Sequence, residues 1–345
     1  MKPVRIDGSQ GEGGGQILRT ALSLATLLRQ PITINHIRAK RRRPGLMPQH
    51  LASITALAEI CEAGVSGAEL HSEKLTFIPG EIRAGTYLFD IKTAGSATLV
   101  LAALLPPLLF ADQPSEITVT GGTHVPFSPP YHYFEEVFLQ ALAGMGASVA
   151  ISLEQWGWYP EGGGTIRLRI NPASKLHQIN LMNRGELAGL HFLFGISNLP
   201  FHIVEREQQT IQEILFEERS RIFCRVEEKP ARGRGNMIFL CARFEQSRAG
   251  FTALGWRGRP AERVASDLCT RWREFSKSAA AIDVHLADQL LLYMVLAQGH
   301  SVFRTEKISG HLLTNLDLVH KFMPFDYRLD EKNGCLEVQG TGFAR

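Results

Sequence analysis

Short strand-like runs and amphipathic helical stretches follow one another in a recurring order through the first half of the chain, and that order leaves few folds open. Val4-Arg5-Ile6-Asp7 reads as a strand, a glycine-rich turn follows, and the apolar spacing predicts a helix from about Gln16 to Leu28. Pro31–Ile37 reads as a second strand, Gln49–Ala63 as a second helix, and Leu75–Ile78 and Tyr87–Ile91 as strands. Ala97–Phe110 is apolar throughout and contains Pro106-Pro107, so it is expected to be a buried helix that stops at the prolines. Glu116–Thr120 then reads as a strand, Tyr133–Ala143 as a helix, and Val149–Leu153 and Thr165–Ile170 as strands. A strand–helix–strand–helix–strand–strand unit used more than once accounts for this order. Glu12-Gly13-Gly14-Gly15 and Glu161-Gly162-Gly163-Gly164 read as echoes of that unit.

Near Arg184 the pattern changes. The chain becomes more charged and rich in turns, with Arg232-Gly233-Arg234-Gly235 in the middle, and the earlier style returns after Ser276. The organisation expected from this is a large domain of residues 1–183 and 276–345, interrupted by a smaller inserted α+β domain of residues 184–275. A chain of 345 residues exceeds the roughly 100–200 residues of one typical domain, which agrees with two folded units. With 44% hydrophobic and 21% charged residues the composition is globular, and the net charge of +3 neither requires nor excludes nucleic acid.

Five cysteines without a C-x-x-C pair argue against a disulfide framework and a cysteine zinc site, and a reducing cytoplasm fits them best. Asp7, Glu12 and Arg19 interrupt any signal-peptide run, and the Ala97–Phe110 stretch is shorter than the about 20 apolar residues that span a bilayer, so no membrane partner is expected.

Three segments carry chemistry. Asp7-Gly8-Ser9-Gln10-Gly11-Glu12-Gly13-Gly14-Gly15-Gln16 joins a strand to a helix, where glycines let the backbone approach an anion and the helix N-terminus offers free N–H groups. The run fits neither the P-loop nor the dinucleotide pattern, and a tight structural turn is an equal reading of its spacing. Glu12 beside a phosphate would repel it unless a metal ion lay between them. Arg19 lies one turn into that helix, on the face of Gln16.

The second segment, Arg38-Ala39-Lys40-Arg41-Arg42-Arg43-Pro44-Gly45-Leu46 followed by Gln49-His50, is the densest positive charge in the chain. It is either a solvated face or a phosphate contact, since guanidinium groups bond phosphate oxygens in pairs. The third is C-terminal: His285-Leu286-Ala287-Asp288-Gln289 opens an apolar helix, and Ser309-Gly310-His311-Leu312-Leu313-Thr314-Asn315 follows. Asp288 and Gln289 suit a ribose or base, or Asp288 caps its helix; His311 taken alone is better read as a satisfied structural histidine. Zinc-protease, nucleophile-elbow and kinase signatures are absent from the sequence.

Taken together the chain resembles the RNA 3′-terminal phosphate cyclase family. The matching stretches are Asp7–Arg19, Arg38–His50, Ala94-Gly95-Ser96 with the apolar helix after it, Thr120–Thr123, Pro129-Pro130, Tyr159–Gly164, His285–Gln289 and Ser309–Asn315, in family order. The resemblance implies an α+β fold of three repeated β-α-β-α-β-β units, akin to enolpyruvyl transferases, with a small α+β insert. It implies an ATP-dependent ligase. A histidine matched by His311 takes AMP from ATP and passes it to an RNA 3′-phosphate, which the neighbouring 2′-hydroxyl then closes to a 2′,3′-cyclic phosphate. By the same match Glu12 would hold Mg or Mn, and Arg19, Arg38, Arg41, Gln49 and His50 would contact phosphate or RNA. His285, Leu286, Ala287, Asp288, Gln289 and Pro130 would hold the nucleotide. The family commonly has a glutamine in the third apolar helix where this chain has Ala102, and that role is not carried over. Two other classes share the architecture: non-catalytic cyclase-like proteins of ribosome assembly, which lack the histidine, and enolpyruvyl transferases. His311 speaks against the first.

Overall fold

The computed structural model describes residues 2–11 and 13–344. Three parts of the chain build the same four-stranded sheet. The first runs β1 (Val4–Asp7), α1 (Gly15–Leu28), β2 (Ile32–Asn35), α2 (Pro48–Cys61), β3 (Gly64–Ser66) and β4 (Leu75–Ile78), in sheet order β1-β2-β4-β3. β1 and β2 are parallel, which requires the crossover helix α1, and β4 is antiparallel to both of its neighbours. The second runs β5 (Thr86–Asp90), α3 (Ala97–Leu109) and β6 (Ser115–Gly121), then a helical stretch of α4 (Tyr131–Tyr133), a π turn (Phe134–Phe138) and α5 (Leu139–Gly144). It closes with β7 (Ser148–Gln155) and β8 (Gly164–Asn171), and its order β5-β6-β8-β7 repeats the same strand senses.

The third unit opens after its first strand, β9 (Asn180–Leu181). The chain leaves through β10 (Leu187–Ser197), α6 (His202–Ile214), β11 (Ile222–Glu228), β12 (Gly235–Phe244), β13 (Arg248–Leu254) and α7 (Ala261–Lys277). It returns with α8 (Val284–Leu296), β14 (Gln298–Arg304), α9 (Gly310–Phe322), β15 (Tyr327–Asp330) and β16 (Cys335–Thr341). The order β15-β16-β14-β9, with β9 parallel to β14, is the first unit's pattern again. The fold is thus α+β, with three copies of one unit.

Alternation explains how the sheets bury one face. In β6, Ser115, Ile117, Val119 and Gly121 are buried and the residues between them are partly exposed. The strands between β9 and α8 behave differently. Leu190, Phe192, Phe194 and Ile196 of β10 join Trp272 and Phe275 of α7 in a separate apolar cluster. Leu193 of β10 and Met237, Phe239 and Cys241 of β12 point the other way, into the large core shared by the three units. This sheet is therefore covered on both faces, and its central strands are apolar almost without interruption.

Some expectations are corrected. The helix from Ala97 runs through Pro106 and Pro107 to Leu109. A proline at 107 leaves the carbonyl of Ala103 without its helical donor, and the buried Ser23 hydroxyl of α1 supplies one at 2.6 Å. The two Glu-Gly-Gly-Gly runs are not equivalent positions of the repeat: the first lies between β1 and α1, the second between β7 and β8. The helix expected from Tyr133 starts at Tyr131 and contains the π turn, and β3 is an additional strand.

The five cysteines form no disulfide, and among the described residues no helix is long and apolar enough to cross a membrane. One acid in α6 is costly to bury. Glu207 is fully buried, accepts a bond of 3.1 Å from the Asn236 amide, and its other oxygen has no partner among the described residues. Burial raises its pKa from 4.5 to about 7. A carboxyl raised in the folded state favours folding when protonated, and stability falls as pH rises from 4.5 through about 7. Glu207→Gln is therefore expected to raise stability by about 1–3 kcal/mol at pH 8 and by little at pH 5, measured as urea midpoints at the two pH values. An equal change at both would mean that ionisation is not the cost.

Candidate active site

The glycine turn after β1 is built by its own side chains. Asp7 accepts from the Ser9 N–H at 3.0 Å and the Ser9 hydroxyl at 2.8 Å, bonds that lower its pKa. Gly11 and Gly13 take φ of +53° and +55°, where a β-carbon is unfavourable. At Gly11 there is a second reason: a β-carbon there would run into the Thr314 side chain of α9. The turn is thus seated on the first turns of α9. Lys321 donates to Gln10 at 2.7 Å, and the Thr20 hydroxyl bonds Asn315 at 3.2 Å, across the same seam.

His311 is the second residue of α9 and is half-buried. Thr314 stands three residues further on, on the same helix face, so His311 and the glycine turn are neighbours. Ser309 caps α9 by accepting from the Leu312 N–H at 2.9 Å, and its hydroxyl donates to Asp288. Asp288 therefore fixes the start of the helix that carries His311. It does not cap its own helix, a role that falls to Asp283, which accepts from the His285 and Leu286 N–H groups at 3.0 and 3.1 Å.

A basic group closes on the other side of the turn. A β-carbon on Gly15, the first residue of α1, would stand 2.5 Å from His50 Nε2 and 2.9 Å from Arg19 Nη1, and one on Gly14 would stand 3.1 Å from Arg41 Nη2. Arg19 is lowered to about 10 by burial. His50 is lowered to about 3, first by burial and then by Arg19 and Arg38, so it is neutral at pH 7. The Met47 N–H donates to His50 Nδ1 at 3.0 Å, which leaves the proton on Nε2, facing Gly15. Among the described residues the nook at the start of α1 gathers several donors: a neutral imidazole N–H, two guanidinium groups and helix N–H groups. Arg38, at φ +56°, donates to the Gly45 carbonyl at 2.8 Å and lines, with Arg41, Arg42 and Arg43, a cavity of about 380 Å³. Gln49 lies against Gly95, at the turn before α3.

The remaining expected residues divide. Pro130 precedes α4, where Tyr133 donates to the capping Asp283 at 2.8 Å, so it lies close to the start of α8. His285 is exposed, and Gln289 donates to the His285 carbonyl at 3.0 Å while its buried oxygen lacks a partner among the described residues. The side chains of Leu286 and Ala287 are buried in the core, which leaves their backbone as the part that would meet a ligand. Ala102 is half-buried against the core. Glu12 lies outside the described residues, and among these no group of three or more His, Cys, Asp or Glu could hold a metal ion. Sequence reasoning missed Thr314 and Asp283. The Asp-Val-His-Leu start of α8 was a legible cap, whereas nothing in the sequence marks Thr314 as the seat of Gly11.

The thrice-repeated α+β unit brings its first and third copies together at a donor-lined nook beside a helix-borne histidine, an arrangement whose chemistry suits an anion. Comparison with known proteins narrows this. The family model described as RNA 3′-terminal phosphate cyclase matches residues 10–329. An RNA 3′-terminal phosphate cyclase of Koribacter versatilis is 43% identical over 98% of this chain and 95% of its own. Those of Methylococcus capsulatus and Salmonella paratyphi C are 43% and 41% identical, over 100% and 97% of this chain and 96% of each of theirs. Among solved structures, the enolpyruvyl transferase NikO of Streptomyces tendae aligns with 99% of this chain and 82% of its own at 12% identity, with a TM-score of 0.28. The chain belongs to the RNA 3′-terminal phosphate cyclase family, a family of enzymes.

The nook has no room for one more carbon. Gly15→Ala is expected to push His50 and Arg19 aside, to destabilise by about 1–3 kcal/mol, and to weaken ATP binding by about tenfold or more as charge-assisted bonds are broken. Calorimetric titration with ATP checks it; unchanged affinity would place the phosphates elsewhere.

Proposed function

We propose that this protein uses ATP to convert an RNA 3′-terminal phosphate into a 2′,3′-cyclic phosphodiester, with His311 as the nucleophile. The observation that supports the reading is the seating of the glycine turn on the helix of His311, which sets the donor-lined nook near that histidine. In the first step a ring nitrogen of His311 bonds the α-phosphorus of ATP, and the bond to pyrophosphate breaks. A neutral imidazole suits this, because it is nucleophilic without first losing a proton. An oxygen of the RNA 3′-phosphate next takes AMP from the histidine. The 2′-hydroxyl then attacks the same RNA phosphorus, loses its proton, and expels AMP.

Arg19, Arg38, Arg41, Gln49 and the Nε2–H of His50 hold phosphate oxygens in this reading. Asp288 and Gln289, with His285 and Pro130 near them, hold the nucleoside, and Leu286 and Ala287 pack the helix behind. A magnesium or manganese ion at Glu12 would neutralise charge on the departing pyrophosphate. His311 favours this reading over a non-catalytic cyclase-like protein or an enolpyruvyl transferase, neither of which needs that nucleophile. We also read residues 184–275 as an inserted unit, which its separate apolar cluster supports.

His311→Ala is expected to fold and to form no protein–AMP adduct with α-labelled ATP, whereas the parent retains label; a labelled alanine variant would place the nucleophile elsewhere. An RNA whose last nucleotide has a 3′-phosphate and no 2′-hydroxyl is expected to accept AMP and accumulate as the adenylylated end. The last step is intramolecular and draws on an effective concentration of about 10⁵–10⁸ M, an advantage that water lacks. Absence of the adenylylated species on a gel, with the normal strand cyclised in parallel, would overturn the order of steps.

A further inference from the structure

Thr314 and Asn315 of α9 are both buried, and the half-buried His311 lies between their directions on the helix. At about 100° per residue, Thr314 stands about 60° to one side of His311 and Asn315 about 40° to the other, each one turn further along. Thr314 is the seat of Gly11, so one side of this stripe is held by the glycine turn. Asn315 holds the other side.

The Asn315 amide spans two neighbouring helices. Its Oδ1 accepts from the Thr20 hydroxyl of α1 at 3.2 Å, and its Nδ2 donates to the Asp288 carbonyl of α8 at 3.4 Å. A carbonyl can only accept, so the nitrogen must face α8, and the oxygen is left for a hydroxyl that can donate. The amide is thereby fixed in one orientation. The helices it ties carry the three parts of the proposed chemistry. Thr20 follows Arg19 of the donor-lined nook, Asp288 precedes Gln289 at the nucleoside end of α8, and Asn315 is one turn from His311.

Asp288 meets α9 at two levels. Its carboxylate accepts from Ser309, the cap of the helix, and its carbonyl accepts from Asn315 in the second turn. The first contact fixes where α9 begins, and the second fixes how far it is turned. An apolar residue at 315 would fill the space without an amide to satisfy; what the amide adds is a direction, because a fully bonded buried polar group admits one arrangement of its neighbours. The magnitude is large enough to matter. A ring nitrogen about 6 Å from the helix axis moves about 1 Å when the helix turns by about 10°, and a misplacement of about 1 Å can cost about 100-fold in rate.

We propose that Asn315 is a positioning residue for the nucleophile: it sets the rotation of α9 against α1 and α8, so that the His311 ring meets the α-phosphorus of an ATP whose phosphates lie on α1 and whose nucleoside lies on α8. The inference rests on the cyclase reading for what His311 attacks. Asn315 itself touches no reacting atom.

The test follows AMP transfer from α-labelled ATP to the protein in a single turnover, over a range of ATP concentrations, with urea midpoints in parallel. Asn315→Ala is expected to lower the rate at saturating ATP about 10- to 100-fold and to leave the ATP concentration for half-maximal rate close to that of the parent. Thr20→Val removes the donor at nearly constant volume and is expected to slow the same step about 2- to 10-fold. Thr20→Ser keeps the hydroxyl and is expected to restore the parent rate, which separates positioning from packing even if Asn315→Ala fails to fold. The double variant Asn315→Ala with Thr20→Val should be no slower than Asn315→Ala, because both remove one tie. A half-maximal ATP concentration that rises at an unchanged saturated rate would place Asn315 in ATP holding and overturn the proposal. Equal rates for Thr20→Ser and Thr20→Val, or losses that multiply in the double variant, overturn it too. A lower urea midpoint with an unchanged rate would reduce Asn315 to packing. Failure of the cyclase reading is distinct, since the parent itself would then take no AMP label.

Discussion

The contact between Gly11 and Thr314 is the joint on which the site depends. It is a contact between the first and last copies of one folding unit, made by a residue with no side chain and a residue three places beyond the histidine. Because Gly11 has no β-carbon, the turn lies directly on α9, and the anion nook at the start of α1 comes to rest beside His311. Asp288, Ser309 and the capped N-terminus of α9 then fix the histidine from the other side. In the proposed reaction neither half has the parts for group transfer alone: one would offer donors, the other the nucleophile.

The same economy appears in the electrostatics. An anion site is usually made with charge, but charge at a buried position is costly. Here burial holds His50 neutral, and the Met47 N–H decides which nitrogen keeps the proton, so the imidazole acts as a donor without carrying a charge. Full charge is carried by Arg19 beside His50 and by Arg38, Arg41, Arg42 and Arg43, which line the cavity of about 380 Å³.

The strand and helix order was legible because β6, β8 and α1 carry clean periods of their own, and that order gave a unit used more than once, while the count of three came from the family resemblance. The glycine turn, the basic loop and His311 were legible as types of residue in suggestive places. What the sequence did not disclose depends on partners far along the chain. The helix through Pro106 and Pro107 survives because a serine eighty residues earlier supplies a hydrogen bond. The two Glu-Gly-Gly-Gly runs look alike as strings, yet one precedes a helix and the other a strand. Leu286 and Ala287 sit inside a matched motif, and only the place of their side chains in the apolar core separates them from Asp288.

The third unit is split, and this has a consequence for how the chain matures. β9 finds its partner β14 only after the strands and helices between them exist, with Ile179 and Ser301 bonded across 122 residues. On a ribosome the first two units can close as they emerge, and the intervening strands can form their own apolar cluster. The helix of His311 comes after all of them. A nascent or truncated chain can therefore own the whole donor-lined nook at the start of α1 while lacking His311, the nucleophile of the proposed reaction. In the proposed mechanism, chemistry would become available only when the last segment has docked, and the order of synthesis itself would guard against activity in unfinished molecules.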